Sequence, residues 1–129
     1  MSKKIILVFN LLILIILGSI TEIKSELQND EYLAFAEQMP EPVGGLEGIY
    51  KAIKYPELAI KSGVQGKVYV LAFINEDGKV EDVKIVKGIG AGCDEATIEA
   101  VKKSKFVPGK SAGKNVKVKM SLQIQFKLT

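Results

Sequence analysis

Across residues 116–128, Val116, Val118, Met120, Leu122, Ile124, Phe126 and Leu128 alternate without a break with Lys117, Lys119, Ser121, Gln123, Gln125 and Lys127. Period two marks a strand with one buried face and one wet face. At about 3.3 Å per residue such a strand runs about 43 Å and overhangs any shorter neighbour. Lysines on the wet face are the usual defence of an edge, and a long edge kept in spite of its exposure is a candidate dock for another chain's strand. Two shorter runs, residues 67–75 and 79–87, are rich in valine, isoleucine and aromatic residues and flank Asn75-Glu76-Asp77-Gly78. They read as a β-hairpin closed by a tight turn. Cys93, Ala96, Thr97, Ala100, Val101 and Ser104 then recur at helical spacing. Asp94 and Glu95 lie in the first turn and Lys102, Lys103 and Lys105 in the last, each complementing the helix dipole, and Pro108-Gly109 ends the helix. Upstream, Leu46, Ile49, Tyr50 and Ile53 outline a short amphipathic helix, and Pro56 opens a second over residues 57–61 that Gly63 closes. Helices this short are not stable alone, so they dock on the sheet. The pattern gives an α+β fold: a three-stranded antiparallel sheet with helices packed on one face, in the order α-α-β-β-α-β.

The N-terminus follows a different pattern. Lys3-Lys4 precedes a nearly continuous apolar run over residues 5–20, shorter than the roughly 20 residues a spanning helix needs. Two readings stay open for residues 1–21: a signal peptide, with Ser19 and Thr21 as the small residues of a cleavage site, or a short membrane anchor. Either exports the rest of the chain, as a free domain or as one held at a membrane by residues 5–20. Residues 22–38 mix charged residues and glutamines with Tyr32, Leu33 and Phe35 and read as a tether. Met39-Pro40-Glu41-Pro42-Val43-Gly44-Gly45 punctuates the chain, so the domain occupies residues 39–129.

Composition removes whole classes of function. The 129 residues include 18 Lys+Arg, all of them lysine, against 15 Asp+Glu, and there is no histidine. A near-neutral body without the arginine fork argues against nucleic acid as a partner. Without histidine the usual general base, the histidine triads and histidine-ligated zinc are excluded. The single Cys93 has no partner for an internal disulfide and reads as a small core residue; a reactive thiol would need a base beside it. The glycine-rich stretch over residues 88–92 lacks the Lys-Ser/Thr of a phosphate loop. Glu76, Asp77, Glu81 and Asp82 lack EF-hand spacing and read as solvated turn charges. No nucleophile–base pair, cofactor motif or metal cluster stands out, so the chain reads as a binder rather than an enzyme.

An ordered set of short motifs then carries a resemblance: Met39-Pro40-Glu41 with Gly44-Gly45, Ile53-Lys54-Tyr55-Pro56-Glu57-Leu58-Ala59, Gly63-Val64-Gln65-Gly66-Lys67-Val68-Tyr69-Val70, Asn75-Glu76-Asp77-Gly78-Lys79-Val80, Gly92-Cys93-Asp94-Glu95-Ala96, Phe106-Val107-Pro108-Gly109-Lys110 and Gln125-Phe126-Lys127-Leu128. Together they resemble the C-terminal domain of TonB proteins, in its Bacteroidetes-type form, over residues 37–129. The resemblance implies a periplasmic protein that engages the TonB box, a short extended segment of outer-membrane receptors, by strand addition. It thereby implies support for energy-dependent transport of siderophores, vitamins or glycans. Carried onto this chain, the implied partner-binding residues are Tyr55 and Pro56 with Val118, Met120, Leu122, Gln123, Ile124, Gln125 and Phe126. Further implied partners are inner-membrane motor proteins and a second copy of the chain joined through the terminal strand; no cofactor is implied. The family's long proline-rich spacer and the histidine of its anchor have no counterpart among four prolines and no histidine. A stand-alone exported adaptor domain that does not transduce energy therefore stays open beside the receptor-engaging reading.

Overall fold

Residues 66–74 carry apolar side chains at nearly every position, where a strand with one wet face would alternate, and the fold accounts for both sides. A computed structural model of the chain describes residues 32–129, together with Val8, Asn10 and Ile13, which are helical. The expected signal or anchor and the first part of the expected tether lie outside the described residues. The main sheet has three strands in the order β3-β2-β7, formed by β2 (Gly66–Ile74), β3 (Val80–Lys87) and β7 (Val118–Phe126), all antiparallel. Val68, Val70, Ala72 and Ile74 of β2 are fully buried. They pack with Val80 and Val83 of β3 and Leu122, Ile124 and Phe126 of β7.

Among residues 32–129 three helices cover that face. These are α1 (Gly45–Ala52), α2 (Glu57–Ser62) and α3 (Cys93–Lys103), which contribute Ile49, Ala59, Cys93 and Val101 to the same core. Pro56 holds extended backbone just ahead of α2, and Gly63 ends it in the left-handed conformation at φ 66°. The element order and the one-sided helical layer agree with the sequence pattern. Four short strands do not emerge from it: β1 (Glu41–Pro42) pairs with β4 (Phe106–Val107), and β5 (Gly109–Ser111) pairs with β6 (Lys114–Val116). Strands of two or three residues are too short for a period to register.

The β2–β3 turn is held from within. The Asn75 side-chain oxygen accepts from the N–H groups of Asp77 and Lys79, each at 2.9 Å. Gly78 has φ 81°, and a Cβ placed there would lie 1.8 Å from the Phe106 carbonyl oxygen. The Phe106 N–H donates to the Gly78 carbonyl at 2.9 Å, so the hairpin tip is fastened to the segment after α3. In β3 the pairing skips Glu81 and Val86, because register shifts fall between Phe73 and Ile74 and between Tyr69 and Val70. Such bulges redirect side chains: Glu81 turns toward Tyr32 and Asn75, and Val86 is left exposed.

The terminal strand corrects one expectation. It does not overhang, because β7 pairs with β2 over its whole length, from Val118 opposite Ile74 to Phe126 opposite Gly66. Residues 114–116 belong to a second ladder with β5, reached through Ala112 and Gly113 at φ 52° and 74°. Alternation persists through Lys117 because both ladders are extended; period two reports extended backbone and not the identity of the partner. From Tyr32 onward the expected tether also lies against the domain. Leu33 bridges Val118 in parallel sense and Gln38 bridges Lys110.

Candidate functional site

Among the described residues strand β7 is an edge of its sheet, with β2 as its one neighbouring strand. Its outward positions follow from two contacts at its ends. Lys119 donates its N–H to the Leu33 carbonyl at 2.9 Å, and the Lys117 carbonyl accepts the Leu33 N–H at 2.9 Å. At the far end the Gln125 N–H donates to the Tyr50 hydroxyl at 3.0 Å. A strand residue's N–H and C=O point to the same side and successive residues alternate. Lys119, Ser121, Gln123 and Gln125 therefore present their backbone outward, while Val118, Met120, Leu122, Ile124 and Phe126 present theirs to β2. Between the two contacts, the outward N–H and C=O of Ser121 and Gln123 meet no hydrogen-bond partner among the described residues. Both side chains are exposed.

The residues implied by the resemblance therefore divide. Gln123 and Gln125 lie on the outward register. Val118, Leu122, Ile124 and Phe126 send their side chains into the core and their backbone to β2, and Met120 is half-buried at the core's margin. Tyr55 reaches β7 from the helical side. Its ring stands edge-on to Phe126 with centroids 5.3 Å apart, and its hydroxyl donates to the Val64 carbonyl. Burial pushes the Tyr55 phenol above its ordinary value, with Cys93 adding a smaller push in the same direction. Pro56 closes on the start of α3, where a Cβ at Gly92 would lie 3.2 Å from the proline ring. Tyr55 and Pro56 thus clamp the α1–α2 turn and the N-terminus of α3 against the end of β7. They hold the edge strand from behind, while the outward hydrogen-bonding groups belong to Ser121 and Gln123.

Two contributors escape the sequence pattern. Tyr50 reads there only as one member of an apolar helix face, yet its hydroxyl is the group that caps Gln125. The outer face of the sheet, with half-buried Tyr69, Leu71 and Phe73, carries the second. Tyr32 stands edge-on to Phe73 with centroids 5.1 Å apart and gives its hydroxyl to Glu81. The ammonium of Lys84 lies 5.2 Å from the Phe73 ring centroid and that of Lys117 lies 5.5 Å from the Tyr32 centroid. The hydrogen bonds from Tyr32 and then Asn75 hold the Glu81 carboxyl below its usual range. The signal for this contact was the absence of alternation in β2, where Tyr69, Leu71 and Phe73 form a second apolar row.

The other chemical candidates are occupied from within. The Asp94 carboxylate accepts from the N–H groups of Ile89 at 2.9 Å and Gly90 at 3.3 Å, so the glycine-rich loop already encloses an anion of its own. A Cβ at Gly88 would lie 2.2 Å from Asp94 Oδ2, which accounts for the glycine there. Cys93 is fully buried, and burial, followed by Asp94 and Glu95, pushes its thiol up and away from the reactive thiolate. A cleft of about 310 Å³ between the α1–α2 turn and α3 is lined by Lys54, Pro56, Glu95 and Glu99 among others, with no residue of β7.

The chain is similar to known proteins in sequence and in fold. A family model described as Gram-negative bacterial TonB protein C-terminal matches residues 51–128. The protein tonB2 of Pseudomonas aeruginosa is 33% identical over 78 residues, which are 60% of this chain and 29% of that protein. Protein TonB of the same organism is 31% identical over 75 residues, 57% of this chain and 22% of that protein. The chain thus spans less than a third of the length of either relative. The solution structure of the Pseudomonas aeruginosa TonB C-terminal domain superposes with a TM-score of 0.50 at 25% identity, covering 69% of this chain and 86% of that one.

Proposed function

The chain belongs to the Gram-negative bacterial TonB protein C-terminal family, and from that premise we propose that it is a periplasmic TonB-like binding domain whose terminal strand receives an extended receptor segment. The segment is the TonB box of an outer-membrane receptor, laid along the outward edge of β7. One observation carries the reading: Ser121 and Gln123 offer a run of outward N–H and C=O groups on an edge strand, with no partner among the described residues. Main-chain hydrogen bonds would supply affinity, and side chains beside the edge would supply register. The work done is binding: the chain positions a partner's backbone and breaks no covalent bond. In this reading the domain supports energy-dependent transport across the outer membrane, with the pull supplied through inner-membrane motor proteins.

The test is a titration of the protein with synthetic TonB-box peptides, followed by amide chemical shifts. Saturable shifts centred on Lys119, Ser121 and Gln123, with smaller shifts at the even positions, are the expected result. Shifts confined to the α1–α3 cleft, or none with any peptide, would remove the receptor reading and leave an exported adaptor domain for a different partner.

A further inference from the structure

The edge is not open along its whole length. Leu33 lies beside Val118 in parallel sense and already makes the two hydrogen bonds that an added strand would make at Lys117 and Lys119, each 2.9 Å long. The segment carrying Leu33 is fastened at both ends. At one end Tyr32 stands on Phe73 and bonds Glu81. At the other, Gln38 exchanges two backbone hydrogen bonds of 2.9 Å with Lys110, and the Glu37 N–H reaches Ser111 Oγ at 3.2 Å. Between these holds, residues 34–36 make no backbone hydrogen bond to the domain among the described residues, and Phe35 is 85% exposed. A segment held at its ends and loose in its middle can leave one hold without losing the other.

We propose that residues 32–36 are a displaceable strap: Leu33 occupies the same backbone groups of β7 that an incoming strand needs, so the seated strap and a partner strand paired at Lys119 exclude each other. The inference rests on β7 being the partner's dock. Its chemistry is that of a resident competitor. The strap supplies one N–H, one C=O, a hydroxyl to Glu81 and an aromatic ring on Phe73, and a partner strand that displaces it must offset all four. The partner this selects is an extended peptide that carries a large apolar or aromatic side chain where Tyr32 now sits, beside the cations of Lys84 and Lys117. Release leaves the chain fastened at Gln38 on β5, so only residues 32–36 need to leave the edge.

The experiment compares the full chain with Leu33→Pro, which removes the N–H given to Lys117, and with Tyr32→Ala, which removes the ring from Phe73. Leu33 is 42% exposed and outside the core, so the sheet is expected to survive either change. A TonB-box peptide is titrated into each, and hydrogen exchange is followed at the Leu33 and Lys119 amides. Competition predicts affinity about fivefold tighter or more in both variants, since net gains near one hydrogen bond are no longer lost on binding. It also predicts that peptide saturation of the unaltered chain deprotects Leu33 while Lys119 stays protected. Equal affinity in all three chains with Leu33 still protected in the saturated complex overturns the strap and leaves the receptor reading intact. Absence of binding to every chain overturns the receptor reading and the strap's role as competitor together.

Discussion

Adjacent residues of β7 are expected to respond oppositely to proline. Ile124 faces β2, opposite Val68, and is fully buried. Proline at Ile124 takes the donor from the Val68 carbonyl inside the ladder, which costs about 1–3 kcal/mol as an unsatisfied buried group. It also removes most of a buried isoleucine, about 2–5 kcal/mol by analogy with large-to-small core changes. Against a typical total stability of about 5–15 kcal/mol, Ile124→Pro leaves a marginal or unfolded domain. Gln123 is the next residue, and its N–H points away from the sheet with an exposed side chain. Proline is tolerated at such edge positions, and its stiffening of the unfolded chain offsets part of any strain, so the change in stability stays within about 1 kcal/mol. Binding responds the other way round. Gln123→Pro removes a donor from the middle of the docking edge and leaves a partner carbonyl without its hydrogen bond, a loss of about 1–3 kcal/mol. At 1.4 kcal/mol per decade, affinity falls roughly 5- to 150-fold. Urea unfolding of both variants and of a Gln123→Ala control, followed by peptide titration of those that fold, separates the two quantities. If Gln123→Pro unfolds as readily as Ile124→Pro, the assignment of outward and inward positions is wrong. If it folds and binds the peptide like the unaltered chain, the edge is not the dock.

Three further outcomes are expected. Gly78→Ala should destabilise by more than about 2 kcal/mol in urea unfolding, since a left-handed φ of 81° is combined with a Cβ 1.8 Å from the Phe106 carbonyl oxygen. For Glu81, the hydrogen bonds from Tyr32 and Asn75, helped by the charges of Lys117 and Lys79, lower the folded pKa below the ordinary 4.5. The strap's hold on Glu81 is therefore complete above that value and is lost as pH falls through the lower, folded one. The Tyr32 and Phe73 ring resonances should report that loss in an acid titration, and Glu81→Gln should remove the pH dependence. Tyr50→Phe should leave stability nearly unchanged, within about 1 kcal/mol, while it speeds hydrogen exchange at Gln125, because only an edge cap is removed.

What was legible in the sequence is what has a period long enough to register. Cys93, Thr97, Ala100 and Val101 fall on one helical face and are the buried residues of α3. The hairpin announced itself through Asn75-Glu76-Asp77-Gly78, whose amide and glycine perform the roles that turn chemistry assigns them. The terminal alternation located β7 but misjudged its ends, because residues 114–116 are extended against a different neighbour. Which backbone groups of β7 face outward was not legible, since side-chain period two does not say on which flank the partner strand lies. That required Leu33 and Tyr50, which touch the edge from far away in sequence. Tyr32 and Leu33 belonged to a charged, aperiodic stretch, and the hint of docking lay in the second apolar row of β2, Tyr69, Leu71 and Phe73.

The two edge contacts also bear on whether two copies of the chain join through their terminal strands. A free edge strand invites such pairing, and the surface lysines near β7 oppose it only weakly in salt. The strap opposes it more strongly, because of symmetry. A receptor peptide displaces one strap, and the two hydrogen bonds of Leu33 are together worth about 1–3 kcal/mol, enough to weaken binding roughly 5- to 150-fold without abolishing it. An isologous pair of β7 strands must release a strap from each protomer, which doubles the opposing term to about 2–6 kcal/mol while the number of new ladder bonds stays that of a single strand pair. With β7 as the dock, the same device would tune a peptide's affinity and largely suppress the homodimer. Sedimentation equilibrium should find the unaltered chain monomeric at concentrations where Leu33→Pro associates, with a dimer constant strengthened by about the square of the variant's gain for peptide. Equal self-association of the two chains, or a dimer that leaves the Leu33 amide protected, would show that the strap does not guard the edge.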